Sequence, residues 1–224
     1  MTSILQEEKK IKQEVTNLID ENRIVNFSDA IFAFAATLLV LKLDLPALTA
    51  TDMNTQFLSS LTHLAPQYFA NLISFFVIGY YWLNHHAIFA LVKRFNMTLV
   101  WLNILFLALI SFLPFPVDLY GDYMTVPTVV VFYSASLAIA GFMLAIIWWY
   151  AASKHRLISR ELGKREINYY LARTLLAPIV FTVSMPWVLI HPLSVQVLWV
   201  LVIIGLVVIN HTFKVQKMSK VEEI

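Results

Sequence analysis

The chain alternates between long apolar stretches and short polar connectors. Six stretches are long enough to cross a bilayer core, at about 24–45, 66–92, 97–116, 127–152, 171–190 and 193–213. The second is rich in aromatic residues, the fourth ends in "IIWWYAASKHR", and the fifth holds Pro178 and Pro186, so a kink or break is expected there. "IHP" predicts a tight turn into the sixth. The segment 47–65 is too polar to span, and Asp52 is placed to cap a short outer helix over "MNTQFLSSLTHL".

Charge fixes the topology of these spans. Of sixteen Lys and Arg residues, fifteen fall on one side of a six-span arrangement, and only Lys42 does not. They cluster before span one, between spans two and three, between four and five, and after six. The positive-inside rule then places both termini in the cytoplasm. The opposite loops carry Asp52, Asp118 and Asp122 without any Lys or Arg. The basic segment 153–170 is expected to meet anionic lipid headgroups. Composition agrees: 59% of residues are hydrophobic and only 13% charged. The expected organisation is a polar cytoplasmic leader at 1–22, with Glu8 and Lys12 as an i,i+4 pair, a transmembrane domain at 23–213 and a cytoplasmic tail at 214–224. Cysteine is absent, which excludes disulfides and thiolate chemistry in this chain.

Polar groups inside a membrane are costly, so each needs a partner or a task. Counting along each helix at about 1.5 Å per residue puts Asp29, His85 and Asn103 in one layer near the inner end, bracketed by Trp82 and Trp101. A network of Arg23, Ser28, Asp29, His85 and Asn103 is therefore expected. It either pins the helices together or takes part in proton or ion movement. A hydrolytic triad of Ser28, Asp29 and His85 is excluded on direction: adjacent helical residues point about 100° apart. No G-x-S-x-G elbow accompanies it. His85 and His86 diverge for the same reason and lack a third ligand at helical spacing. There is no phosphate-binding G-x-x-x-x-G-K-[ST] loop, no arginine ladder and no "TVGYG" filter.

One further face of span one groups Ala30, Phe34, Thr37, Leu41 and Asp44 at spacings of three and four. It has two readings. Thr37 bonds back to its own helix while Phe34 and Leu41 pack. Alternatively, span one lines a pore at an oligomer axis, where Thr37 hydroxyls form an oxygen ring between two apolar constrictions and Asp44 concentrates cations at the mouth. Such a weak ring favours potassium, the ion that is cheaper to dehydrate than sodium.

"RIVNFSDAIFAFAATLLVL" resembles the signature of the transmembrane protein 175 family, the potassium-selective cation channels of bacteria and of endosomes and lysosomes. Its Arg-x-x-x-Phe-Ser-Asp pattern falls on Arg23, Phe27, Ser28 and Asp29. Trp82, His85 and Phe89 match the span-two pattern, and Leu102, Asn103, Phe112, Leu113 and Pro114 match that of span three. The resemblance implies a homotetramer with one six-helix unit per chain and a central pore lined by span one. It assigns the constriction to Phe34, the selectivity threonine to Thr37 and the outer apolar ring to Leu41, with the Ser28, Asp29, His85 and Asn103 set structural or gating. The family's narrowest ring is usually Ile or Leu; four phenylalanines would close an axis unless they rotate aside.

The expectation is an all-α integral membrane protein of six transmembrane helices. It is read as a homotetrameric potassium channel of the inner (plasma) membrane with a hydrophobic gate, holding K+ transiently near Thr37. No enzyme activity, cofactor or nucleic-acid partner is expected. Two alternatives are a secondary transporter or proton-coupled carrier using the Asp29/His85 layer, and a scaffold that conducts nothing.

Overall fold

The computed structural model describes residues 21–41, 43 and 53–219, of which 53–55, 193 and 214–219 are described by backbone alone. Among the described residues seven α-helices form: α1 (Glu21–Leu41), α2 (Met53–Phe89), α3 (Met97–Phe112), α4 (Pro114–Asp122), α5 (Pro127–Ala152), α6 (Lys164–Ser184) and α7 (Val195–Ser219). With α3 and α4 running on as one span, six helical segments are long and apolar enough to cross a membrane. Residues 1–20 of the expected leader, Lys42, Asp44, Asp52, and the side chains of Lys214, Lys217 and Lys220 lie outside the described residues, whereas Glu21 and Asn22, expected in the leader, open α1.

The boundaries depart from the hydropathy pattern in three places. The polar stretch before Pro66 is not a separate helix, because α2 runs unbroken through Pro66 from Met53 to Phe89. Proline removes one amide donor from the ladder, which a long helix tolerates when other groups satisfy the backbone. At about 1.5 Å per residue, these 37 residues reach about 55 Å, beyond a hydrocarbon core of about 30 Å. Span three also extends further than expected. After Leu113 the chain re-enters a helix at Pro114, so Asp118 and Asp122 lie on α4 and not in a loop. Pro114 stands in the first turn, where its missing N–H has no helical partner to lose. In the fifth span, α6 starts at Lys164, inside the expected basic loop. It passes through Pro178 and ends at Ser184, giving way to a 3-10 turn at Met185–Leu189 that contains Pro186.

Packing follows from which faces are small or apolar. α5 is the most buried span and α7 the least. α5 packs on α6, α3 and α4; α1 lies against α2 and α3; α7 rests on α6. The α5–α6 contact is close because Gly141 has no side chain: a Cβ there would stand 2.8 Å from Pro178 Cδ and 2.9 Å from the Tyr81 hydroxyl. Tyr81 in turn donates to the Leu137 carbonyl at 2.7 Å, and the Ser74 and Tyr133 hydroxyls are 2.9 Å apart, fastening α2 to α5.

The basic connectors gather at one end of the bundle. Lys93 and Arg94 donate backbone N–H groups to the Leu157 carbonyl at 2.8 and 3.2 Å, and Val92 bridges Ile158. Arg156 sits over the Tyr150 ring, and Arg165 donates to the Phe213 carbonyl of α7. Lys154 and His155 both take positive φ, at 54° and 52°, which folds the chain back so that the His155 Nε2 and Leu162 carbonyl lie 3.0 Å apart.

Gly141→Ala is expected to destabilise the fold by about 1–3 kcal/mol through overpacking. A lowered thermal unfolding midpoint in detergent checks this; an unchanged midpoint would show that the α5–α6 contact has slack.

Candidate functional site

The site is built on α1, whose two faces differ. Ser28, Phe32, Ala35 and Leu39 recur at spacings of four, three and four and are buried in the chain's own core. The face through Ala30, Phe34, Thr37 and Leu41 is exposed, with Phe34 at 59% and Leu41 at 78%. Phe27 and Val40 are exposed beside it. Large apolar side chains left bare along one face of a helix this apolar mean that the chain's own fold does not cover that face.

Thr37 donates its hydroxyl proton to the Phe34 carbonyl at 2.9 Å. The partner is therefore the i−3 carbonyl. A hydroxyl has one donor and two acceptor lone pairs. Spending the donor on the helix leaves the oxygen as an acceptor on an exposed face.

The buried face carries a directional relay. Asn103 Nδ2 donates to Ser28 Oγ at 2.9 Å, and Ser28 donates to the Ile24 carbonyl at 2.9 Å. The Asn103 Oδ1 lies 2.9 Å from His85 Nε2. Since that oxygen only accepts, His85 carries its proton on Nε2, and the amide orientation and tautomer are assigned together by the network. The His85 ring stacks on Phe89, with centroids 4.1 Å apart, and parallel to Phe106 at 5.7 Å; Phe32 closes the third side. Ser28, His85 and Asn103 are all buried, and His85 Nδ1 has no hydrogen-bond partner among the described residues. Three helices thus meet at one layer: α1, α2 and α3.

Asp29 and Arg23 do not join that relay, which corrects the five-residue network expected from depth alone. Asp29 Oδ1 accepts from Trp82 Nε1 at 2.8 Å, on the rim between α1 and α2. Arg23 is exposed. The reason is rotational: Ser28 and Asp29 are adjacent on a helix, so when Ser28 faces the core Asp29 is turned about 100° away. Trp82 and His85 divide in the same manner on α2, Trp82 half-exposed and His85 buried. His86 is exposed with its ring 5.8 Å from that of Trp82. Beside Asp29 and Trp82, an apolar cleft of about 370 Å³ opens between the two helices, floored by Ala33, Ala36 and Gly79.

Sequence reasoning missed the cage of Phe32, Phe89 and Phe106 around His85 and the Ile24 carbonyl that ends the relay. The Ile24 carbonyl and Phe89 stand four residues from Ser28 and His85 on their own helices, a spacing that signals both; Phe32 and Phe106 come from other helices, and no spacing signals them.

Comparison with known proteins follows this geometry. The profile of the family described as "Endosomal/lysosomal potassium channel TMEM175" matches residues 23–114. A potassium channel of Chamaesiphon minutus is 37% identical over 155 residues, covering 66% of this chain and 74% of its own. A potassium channel of Streptomyces collinus is 30% identical over 135 residues, covering 58% of this chain and 64% of its own. The crystal structure of a lysosomal potassium-selective channel TMEM175 homolog from Chamaesiphon minutus superposes with a TM-score of 0.71 at 31% identity, covering 85% of this chain and 98% of that one. Vertebrate relatives named endosomal/lysosomal proton channel also match, this chain spanning about a fifth of their length.

Replacing Asn103 by Ala strips partners from both His85 and Ser28, and each buried group left unsatisfied costs about 1–3 kcal/mol. Trp82→Phe removes one half-exposed bond and is expected to cost about 1 kcal/mol or less. Thermal unfolding in detergent checks the order; equal losses would mean that the relay does not hold the layer.

Proposed function

The chain belongs to the TMEM175 family of ion channels, and from that membership we propose that it is a potassium-selective cation channel working as a homotetramer, with α1 of each subunit lining a central pore. The observation that carries the reading is the bare face of α1. Ala30, Phe34, Thr37 and Leu41 face outward while Ser28, Phe32, Ala35 and Leu39 are packed inside the subunit. Four such faces around an axis cover one another's apolar side chains and enclose a path.

Along that path the side chains take successive tasks. Phe34 and Leu41 form apolar rings that exclude water when narrow and so act as a hydrophobic gate. Four Phe34 rings at an axis occlude it, and conduction requires them to rotate aside. Between them, the Thr37 oxygens replace part of a hydration shell. Their lone pairs are available because the hydroxyl proton is held by the Phe34 carbonyl. A ring of neutral oxygens recovers too little energy to strip sodium, and potassium is favoured by its cheaper dehydration. K+ is held there only transiently. Asp44, three residues beyond Leu41 in sequence, raises the local cation concentration at the pore mouth.

The shared end of the basic connectors supports an orientation with that end, and both termini, in the cytoplasm of a cell with the channel in its inner (plasma) membrane. The leader at 1–22 and the tail at 214–224 then flank the channel domain at 23–213. Ser28, Asp29, Trp82, His85 and Asn103 serve to hold α1 in its rotation, with Asp29 anchoring it to Trp82 at the inner rim, while Arg23 and Phe27 of the same signature stand exposed. A carrier mechanism shared between Asp29 and His85 is less well supported, because the two are bound to different partners.

Thr37→Val keeps the shape but removes the oxygen ring. The potassium-over-sodium permeability ratio is expected to fall about fivefold, as about 1 kcal/mol of lost differential coordination gives. Single-channel reversal potentials with potassium and sodium on opposite sides measure it. An unchanged reversal potential in a conducting variant would remove Thr37 from the selectivity role, and the absence of unitary currents in the unaltered protein would remove the channel reading.

A further inference from the structure

The rim where α6 meets α7 has a feature that conduction does not use. A groove of about 670 Å³ lies there, lined by Arg165, Glu166, Tyr169, Tyr170, Asn210 and Phe213 together with two leucines. We propose that it binds an anionic phospholipid, whose phosphodiester meets Arg165 and whose acyl chain follows the seam between α2, α6 and α7.

Three observations carry this. The first is charge. Arg165 is half-buried, and its guanidinium is oriented by a hydrogen bond to the Phe213 carbonyl and by the Phe213 ring 5.9 Å away. A guanidinium has five N–H donors in a planar fork that matches phosphate. One bond to Phe213 leaves others for a ligand. Exposed Arg160 and Lys164 stand on the same segment but do not line the groove. The second is a polar belt just deeper in the bundle. Tyr169 donates to Asn210 Oδ1 at 2.8 Å, Arg173 Nη1 donates to the Tyr169 hydroxyl at 3.3 Å, and Tyr80 donates to the Arg173 carbonyl. This belt joins α2, α6 and α7 at a single level. The third lies beyond it. A second groove of about 450 Å³, almost wholly apolar, runs along the same three helices between Phe69, Val77, Phe181, Trp199 and Ile203. A basic headgroup pocket, a polar belt and an apolar trough in sequence are the profile of a lipid. Basic pockets between transmembrane helices recognise anionic headgroups in this way. Glu166 accepts the Gly163 N–H at 3.0 Å, and its carboxylate at the groove favours a headgroup that carries hydroxyl donors, such as phosphoglycerol.

The test uses the purified full chain in detergent, mixed with equal amounts of dioleoyl phosphatidylglycerol and dioleoyl phosphatidylcholine, and native mass spectrometry of the retained lipid. Phosphatidylglycerol is expected to be retained in preference. Arg165→Gln is expected to lower that retention at least fivefold without changing phosphatidylcholine, Arg165→Lys to restore it only in part, since the charge returns without the fork, and Arg160→Gln to leave it unchanged. Asn210→Asp keeps an acceptor for Tyr169 and adds a negative charge to the groove. It is expected to weaken retention in the same direction, which keeps the test open if Arg165→Gln does not fold. Equal losses in Arg160→Gln and Arg165→Gln would mean diffuse attraction and overturn the site. So would a lack of preference for phosphatidylglycerol, or undiminished retention in Asn210→Asp. Displacement of the lipid by equimolar soluble glycerol phosphate would make the groove a free-anion site and overturn the lipid assignment.

Discussion

The hydrogen bond from Asn103 to Ser28 sets the rotation of α1, and the rest of the site depends on it. A helix as apolar as α1 has little reason of its own to present one face to the protein and another to the outside, because lipid is as apolar as a Leu side chain. The polar relay supplies that reason. Only one rotation brings Ser28 Oγ within 2.9 Å of Asn103 Nδ2, and every other leaves buried donors unmatched, at a cost of about 1–3 kcal/mol each. With Ser28 inward, Thr37 points outward, nine residues and about two and a half turns further along.

The relay is itself held from behind. His85 donates its Nε2 proton to Asn103 because that amide oxygen can only accept, and the rings of Phe89, Phe106 and Phe32 keep the imidazole from turning. Rigidity passes from an aromatic cage on α1, α2 and α3 to a polar bond and then to the orientation of a face. Asp29 and Trp82 act at the rim of the same helix pair, where a half-exposed bond contributes less but blocks rotation in the other direction.

Away from α1 the bundle is built differently. α5 and α6 approach closely where Gly141 admits Pro178 and the Tyr81 hydroxyl. This follows the rule for membrane helices, in which small residues allow backbone approach and dispersion does the rest. α7 packs mainly on α6, reaches α4 and α5 through Gln196 and Trp199, and keeps much apolar surface. The molecule therefore has a tightly held centre, a bare α1 face and a largely exposed α7.

Several features were legible in the sequence because they depend on distance along the chain. Six apolar runs, their basic connectors and the depth of Ser28, His85 and Asn103 follow from hydropathy, charge and a rise of about 1.5 Å per residue. So does the grouping of Phe34, Thr37 and Leu41, which needs only the helical period. Pro186 marks the break after Ser184, while α2 runs through Pro66 and α6 through Pro178, and spacing along the chain does not tell these cases apart. Depth also could not separate Ser28 from Asp29, which share a layer but point in different directions. That choice belongs to the tertiary structure: a sequence determines how far along a helix each side chain lies, while only the partners brought by other helices decide which way the helix turns.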